Sequence, residues 1–319
     1  MPERATSEFR ISYSPHIHKG IKTAKIMRGV AIALLPAIAA SIYYFRLQAV
    51  YLLVTSIGVG LIAEAVMQKI RGRDIDLTDN SALVTGILVA LVLPPGLPLY
   101  AVALGSAFAI IIGKQLFGGL GKNVFNPALI GRAFLVAAYP VLMTSWDKPV
   151  NVDAITSATP LAAARFDGVM TPLSRLFMGS IAGSLGETSA LALIIGGIYL
   201  LAKGYIDWRI PLGTIGSLLV LSSILWGINP GQFTPPIFNL LAGGFLIGAF
   251  YMATDPVTSP VTKTGRWIFG IGIGVLTMVI RSWGGYPEGV MFAILLMNAF
   301  TPLIDRFTVP EPFGGGVSK

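Results

Sequence analysis

Of the 319 residues in this chain, 54% are hydrophobic and only 12% are charged, whereas soluble proteins keep about a quarter of their residues charged. The net charge is +8, but the basic residues lie between apolar runs and not on one face, which indicates membrane orientation and argues against a nucleic-acid partner. The absence of cysteine excludes disulfides, thiolate zinc sites and cysteine-bound iron–sulfur clusters in this chain. The two histidines, His16 and His18, lie in the N-terminal tail, which excludes bis-histidine haem inside a membrane. Any redox centre is therefore organic or shared with a partner.

The first half of the chain predicts five membrane segments. A spanning helix needs about 20 mostly apolar residues, and the third segment, Ser81–Val92, is too short. It ends at Pro94-Pro95-Gly96-Leu97-Pro98, where proline cannot continue a helix because it lacks the N–H and clashes with the preceding turn. We therefore expect a broken helix that ends within or near the membrane. The other four predicted segments are Lys25–Tyr44, Leu47–Gln68, Pro98–Phe117 and Pro127–Trp146.

The second half predicts five more segments and a second broken helix. The third of them, Ile237–Met252, stops at Thr254-Asp255-Pro256. The fold class expected is thus an all-α polytopic membrane protein, with about ten transmembrane helices in two inverted halves. A faint repeat, in which Gly118-Gly119 and Ala133-Phe134 recur as Gly284-Gly285 and Ala299-Phe300, agrees with this; chance is the alternative, because the chain has 37 glycines. The remaining predicted segments are Ser189–Lys203, Ile210–Ile228, Trp267–Arg281 and Gly289–Leu303.

The charge distribution predicts the orientation. With the N-terminus inside, most basic residues of the connecting segments face the cytoplasm, as the positive-inside rule requires. No cleavable signal peptide is apparent, because the first 24 residues are polar. We expect a multi-pass protein of the bacterial cytoplasmic (inner) membrane with both termini in the cytoplasm. The predicted regions are a cytoplasmic tail (1–24), a first membrane half (25–146), an extracytoplasmic loop (147–171), a second membrane half (172–305) and a cytoplasmic tail (306–319).

The external loop contains the one stretch that suggests chemistry, Asp153-Ala154-Ile155-Thr156-Ser157-Ala158-Thr159-Pro160-Leu161. By itself it is unremarkable, because hydroxyl residues before a proline commonly cap a helix or form a turn. The stretch resembles, however, the Asp-x-x-(Ser/Thr)-(Gly/Ser)-Ala-Thr signature on which a flavin transferase attaches FMN as a phosphoester. The resemblance implies that Thr159 carries the flavin and that the transferase recognises Asp153 and Thr156. Ser157 stands where many relatives have glycine.

The signature is found in the B subunit of the sodium-translocating NADH:quinone oxidoreductase and in the D subunit of the Rnf complex, and further segments of this chain are similar to the same family. Because the first span starts near residue 25, without an extended N-terminus, the chain looks like the Rnf member of the family. The supporting segments are Ser14-Pro15-His16-Ile17, residues 79–86 with Leu93-Pro94-Pro95, residues 121–128 with Gly131-Arg132, and residues 254–260 with Gly265-Arg266.

The resemblance implies a membrane subunit that passes electrons through covalent FMN and couples ferredoxin–NAD redox chemistry to Na⁺ or H⁺ transport. It implies a second, noncovalent flavin such as riboflavin, and partners that include other membrane and peripheral subunits and the flavin transferase. The chain would not be catalytic alone, because no nicotinamide-binding glycine fingerprint follows a strand. The alternatives are a B-type subunit of the quinone oxidoreductase, a urea-transporter-like channel without a redox role, and a scaffold subunit without its own cofactor.

Three residues at the predicted fifth helix are candidates for contact with a flavin. Arg132 is a charge inside an apolar run, which usually faces a cavity or a partner; its alternative is to extend towards the inner surface. Asn123 and Asn126 either line a flavin or ion site or cap the helix.

Two carboxylates are candidates for an ion path. Asp255, at the end of the second broken helix, could coordinate a cation together with freed backbone carbonyls, or could pair with Arg266 or Lys263. Glu64, late in the second span, is either a proton or ion relay or an interface residue paired with Lys69.

Overall fold

The computed structural model describes residues 23–146 and 158–310, so Asp153 and Thr156 lie outside the described residues. All regular structure in the described part is helical, and five helices are long and apolar enough to cross a membrane. This confirms the predicted all-α polytopic membrane fold. The long helices are α1 (Thr23–Phe45), α2 (Leu47–Ile70), α10 (Arg209–Ile228), α13 (Lys263–Trp283) and α14 (Val290–Thr308).

The remaining helices are shorter and connect or interrupt the long ones. They are α3 (Ser81–Leu91), α4 (Leu99–Ile110), α5 (Pro127–Ala138), α6 (Pro140–Thr144), α7 (Pro160–Ala162), α8 (Leu173–Met178), α9 (Ala190–Ala202), α11 (Pro236–Leu241) and α12 (Phe245–Ile247). Three π-helical segments, Ile111–Gln115, Ala163–Asp167 and Gly248–Met252, continue α4, α7 and α12, and a 3₁₀ turn at Leu185–Glu187 precedes α9.

The packing of the first half is repeated in the second. Helix α2 packs on α3 and α4, and α4 on α5, while α10 packs on α11 and α13, and α13 on α14. The first elements of the two halves, α1 and α9, contact each other, and so do the fifth elements, α5 and α14. A two-fold axis that relates the halves would produce these pairings, as expected for an inverted repeat.

The first broken helix has the predicted form. With 11 residues, α3 rises about 16 Å at 1.5 Å per residue, about half the thickness of the hydrocarbon core. Asn80, which precedes it, has a left-handed backbone with φ of 60°. Nearly every side chain of α3 is buried, because this short helix lies inside the helical bundle.

Two of the predicted segments contain breaks at positions that the sequence did not predict. Helix α5 ends at Ala138, because Tyr139 precedes Pro140 and departs from helical geometry (φ −133°, ψ 58°). In the span predicted at Ile237–Met252, α11 ends at Leu241 and α12 begins at Phe245. The intervening Gly243 adopts a left-handed φ of 71°, which glycine permits without steric cost.

A basic residue near the end of the fourth helix contacts the broken helix in each half. In the first half, Nζ of Lys114 donates to Oγ of Ser81, the first residue of α3 (2.6 Å). In the second half, Arg281 donates to the backbone carbonyls of Asn239 and Ala242, at the break between α11 and α12. Carbonyls freed at a helix break need such donors, since water is absent inside a membrane.

Candidate functional site

Thr159 is a buried helix-capping residue. Its side-chain Oγ accepts a hydrogen bond from the backbone N–H of Ala162 (3.2 Å), and Pro160 occupies the first helical position. The residue is only 3% exposed. The capping interpretation of this loop is therefore correct, and it is compatible with the modification hypothesis because the hydroxyl remains a potential acceptor of a phosphate ester.

A cavity of about 480 Å³ lies beside Thr159. Its volume falls within the range of about 300–1,000 Å³ that is usual for cofactor and ligand pockets. Aromatic side chains contribute much of the wall, and flat rings are suited to stack on a ring system such as isoalloxazine. The residues that line the cavity include Arg132, Thr144, Trp146, Thr159, Phe166, Tyr286, Glu288 and Phe292.

Arg132 provides the positive charge of this cavity. It projects from α5 and forms a close ion pair with Glu288, and its Nη1 lies 3.6 Å from Oε1 of Glu187. Its side chain is only 9% exposed, so the alternative that it extends towards the membrane surface is wrong. The geometry instead supports the prediction that Arg132 faces a cavity.

Glu288 has a buried oxygen without a partner. Oε2 contacts Arg132, whereas Oε1 has no hydrogen-bond partner among the described residues. An unsatisfied buried carboxylate oxygen is costly, and at the wall of a cavity it is a ready acceptor for a ligand N–H. The size, the aromatic wall and this unsatisfied acceptor together fit a flavin.

Asn123, Asn126 and Asp255 lie together at a different cavity, which Lys114 also lines. Its volume is about 60 Å³, well below the range for organic cofactors. Helix α5 begins at Pro127 beside this smaller cavity and lines the larger one with Arg132 five residues later, which is about 7.5 Å along the axis at 1.5 Å per residue. The predicted site residues are therefore divided between two places.

Asn126 confirms the capping prediction, and Asn123 does not. Oδ1 of Asn126 accepts from the backbone N–H groups of Ala128 (3.0 Å) and Leu129 (3.3 Å), and its Nδ2 donates to the carbonyl of Met252 (3.2 Å). Asn123 donates to the carbonyl of Phe125, two residues on, and its Oδ1 is buried without a hydrogen-bond partner in the described part of the chain.

Neither predicted carboxylate has the partner that the sequence suggested. Asp255 accepts from the Val257 N–H (3.2 Å) and the Thr258 hydroxyl (3.4 Å). Its expected pairing with Arg266 is wrong, because Arg266 contacts Asp207 (2.6 Å). Lys263, the other expected partner, forms no ion pair with Asp255 among the residues described.

Glu64 pairs with Lys114 and not with Lys69. The Lys114 Nζ to Glu64 Oε1 distance is 2.8 Å, and both side chains are almost fully buried. The same oxygen accepts from Gln115 (2.7 Å) and Gln68 (3.2 Å). Lys69, five residues further along the same helix, is exposed, so the pairing follows from tertiary packing and not from sequence proximity.

Sequence reasoning did not single out Glu288 or Lys114 as site residues. Glu288 follows Tyr286-Pro287 in the loop before α14 and had no motif to mark it. Lys114 gave a clearer signal, because it stands within an apolar run, and a charge in such a run usually has a buried partner.

The chain is similar to one protein family over nearly its whole length. A model of the NQR2, RnfD, RnfE family matches residues 10–314. The D subunit of a proton-translocating ferredoxin:NAD(+) oxidoreductase complex from Clostridium ljungdahlii is 46% identical, with 96% of each chain covered. The D subunit of a Na(+)-translocating ferredoxin:NAD(+) oxidoreductase complex from Acetobacterium woodii is 47% identical, with 95% of each chain covered.

A more distant relative has a less specific name. The D subunit of an ion-translocating oxidoreductase complex from Pectobacterium carotovorum is 40% identical, and the match covers 96% of this chain and 99% of the relative. The relatives thus agree with the resemblance that the sequence motifs indicated, and they favour the Rnf-type member over the quinone-oxidoreductase type.

Proposed function

The chain belongs to the NQR2, RnfD, RnfE family, and on that premise we propose that it is the D-type membrane component of an ion-translocating ferredoxin:NAD oxidoreductase complex and carries FMN on Thr159. Its relatives are named as subunits of such complexes. The chain is accordingly one component of an oxidoreductase and not a catalyst alone. The other membrane and peripheral subunits are its proposed partners, and a flavin transferase is needed for maturation.

The observation that carries the flavin proposal is the position of Thr159 in the wall of the large cavity, together with Arg132 and Glu288. A phosphoester on Oγ of Thr159 would tether the ribityl chain at that wall, so no binding energy is needed to retain the cofactor. The flavin would supply the electron chemistry, and the residues of this chain would position it and adjust its redox potential. Arg132 and the surrounding aromatic side chains are the residues available to hold it.

The proposed location is the bacterial cytoplasmic membrane, with both termini in the cytoplasm and Thr159 on the extracytoplasmic side. The support is the bias of basic residues in the sequence. Under this arrangement, partner subunits must bring electrons across the membrane to the flavin.

Overall sequence similarity does not show whether the coupling ion is Na⁺ or H⁺. Relatives named for protons and for sodium ions are 46% and 47% identical to this chain. Of the two carboxylates considered for an ion path, Glu64 is neutralised by Lys114, whereas Asp255 has no ion-pair partner among the described residues. We therefore propose that Asp255 is the stronger candidate for a residue of the ion path.

A second, noncovalent flavin does not fit the cavity at Asn123 and Asn126 as it stands. A volume of about 60 Å³ is too small for a tricyclic ring.

Intact-mass analysis of the full chain, co-expressed with a flavin transferase, tests the proposal. We expect a mass increase of one FMN less one water in the wild type and in Thr144→Ala, because Thr144 lines the same cavity but lies outside the motif. Thr159→Ala should have the unmodified mass. An unmodified wild-type chain would contradict the flavin proposal and favour a subunit without a cofactor of its own.

A further inference from the structure

The large cavity beside Thr159 has a single charged feature. Among the described residues that line it, only Arg132 and Glu288 are charged, and they are paired with each other. One comes from the first half of the chain and the other from the second, 156 residues apart. The fold therefore places one guanidinium and one carboxylate side by side at a largely apolar wall.

The Arg132–Glu288 pair has donors and an acceptor that form no hydrogen bond among the described residues. The guanidinium has five N–H donors, and its one identified hydrogen bond within the described chain goes to Glu288. Glu288 retains Oε1, which is buried and unpartnered among the described residues. A ligand that contacts both residues must therefore offer an acceptor next to a donor.

Isoalloxazine has this arrangement along its pyrimidine edge, where the N3–H donor stands between the C2 and C4 carbonyl acceptors. We propose that the Arg132–Glu288 pair recognises this edge, with Oε1 of Glu288 accepting from N3–H and Arg132 donating to an adjacent carbonyl. Charge-assisted hydrogen bonds of this kind are shorter and stronger than neutral ones. The inference rests on the proposed attachment of FMN to Thr159, and it assigns a residue, Glu288, that no motif identified.

Glu187 provides a comparison within the same charge cluster. It also approaches Arg132 and is almost fully buried, but it does not line the cavity. Gly183 and Gly244 lie against its carboxylate oxygens, where a side chain would crowd them. We assign Glu187 the role of positioning Arg132 and balancing its charge, without contact to the flavin.

The two carboxylates should therefore differ in their effect on the flavin. A carboxylate that accepts from N3–H weakens that N–H bond and shifts the vibrations of the neighbouring carbonyls. Its negative charge also disfavours the addition of electrons to the ring, so its removal makes the potential more positive. Removal of the charge of Glu187 acts only through space, and it leaves the ring vibrations unchanged.

The experiment uses the full chain carrying FMN, with attachment confirmed by intact mass, in the wild type, Glu288→Met, Glu288→Gln and Glu187→Gln. Infrared difference spectra report the ring carbonyl and N3–H bands, and a redox titration gives the flavin potential. We expect Glu288→Met to shift the bands and make the potential more positive. Glu288→Gln keeps an acceptor oxygen and the shape of the side chain, so its bands should stay close to wild type while its potential becomes more positive.

Two results would overturn the inference. The first is that both Glu288 variants match the wild type in bands and potential. The second is that Glu187→Gln shifts the bands as much as Glu288→Met does, which would show a general charge effect. Absence of FMN from the wild type by mass would instead reject the underlying proposal for Thr159, so the two failures are distinguishable. Glu288→Gln also supplies the potential measurement if Glu288→Met does not accumulate as a folded protein.

Discussion

The backbone N–H of Asn126 donates to the side-chain Oδ1 of Asn298 across 3.2 Å, which joins two residues that are 172 positions apart. Asn126 precedes α5 and Asn298 lies in α14, the fifth elements of the two halves. Asn298 is completely buried and also donates from Nδ2 to the carbonyl of Thr258 (3.2 Å). One amide side chain thus connects the two repeats.

Asn298→Ala should destabilise the folded chain by about 1–3 kcal/mol, because it leaves the Asn126 N–H without its partner in the interior. Denaturant unfolding in detergent measures the effect. Asn229→Ala, at an exposed position, is the control and should change stability by less than about 0.5 kcal/mol. Equal stability of the two variants would show that the contact does not hold the halves together.

Lys114→Met should destabilise the chain by about 3–5 kcal/mol, because it leaves the buried carboxylate of Glu64 without its counter-charge. The double variant with Glu64→Leu should lose much less than the sum of the single changes, since it removes both charges. Lys69→Met tests the partner suggested by the sequence and should be nearly neutral, because Lys69 is exposed. A larger loss for Lys69→Met than for Lys114→Met would contradict the assigned pair.

Gly196→Ala should destabilise the contact between α1 and α9. A Cβ at Gly196 would overlap the carbonyl oxygen of Ala33 and the hydroxyl of Tyr251, and such overpacking typically costs about 1–3 kcal/mol. The matched substitution Gly216→Ala, in α10 with nothing within 4 Å of its added Cβ, should stabilise by about 0.4–1 kcal/mol. Thermal unfolding of the two variants compares them, and the prediction fails if their shifts have the same sign and size.

The stability should depend on the ionisation of Asp207, which lies in the loop between α9 and α10. Burial raises the pKa of Asp207. The hydrogen bonds from Arg209 and Arg266, together with the positive charges of these two residues, lower the pKa by a larger amount, so the net pKa lies below 3.8. Oδ2 of Asp207 lies 2.9 Å from Nη1 of Arg209 and 2.6 Å from Nη1 of Arg266. Because the folded-state pKa is depressed, the stabilisation is present above pH 3.8 and is lost as the pH falls through the folded-state value.

Thermal unfolding of the wild type and Asp207→Asn as a function of pH checks this dependence. We expect the wild type to be the more stable protein at neutral pH and the difference to shrink as the pH falls below 3.8. A difference that stays constant across this range would show that the two ion pairs contribute nothing.

The proposed orientation can be tested with single cysteines, because the natural chain has none. Asp167 ends the π-helical segment that follows Thr159, Asp74 lies between α2 and α3, and both positions are exposed, so each is changed to cysteine in turn. In intact cells, a membrane-impermeant maleimide should label the first, and the second only after permeabilisation. The reverse pattern would place Thr159 in the cytoplasm.

The sequence predicted the helices well wherever an apolar run was uninterrupted. The start of α2 at Leu47 matches, and α10 begins one residue before the predicted Ile210, because about 20 apolar residues leave little freedom in a membrane. The break at Gly243 was missed, since the surrounding residues remain apolar and the left-handed φ of this glycine is visible only in the folded chain.

The candidate site was predicted only in part, for a related reason. Arg132 could be identified because a charge in an apolar run needs a buried partner. Its partners, Glu187 and Glu288, lie in the other half of the chain, and no local pattern identifies a contact over that separation. The same limitation explains why Glu64 was expected to pair with Lys69 and not with Lys114.

The burial of Thr159 has a consequence for how the protein is made. Thr159 is only 3% exposed and its hydroxyl already accepts from the N–H of Ala162, so in the folded chain it is closed to the active site of another enzyme. The proposed attachment of FMN to Thr159 would then occur while this segment is still unpacked during biogenesis, or in a transient local unfolding of the finished protein. In the first case, chains that fold before they meet the transferase would remain without flavin, so the timing of maturation would decide how many subunits carry electrons.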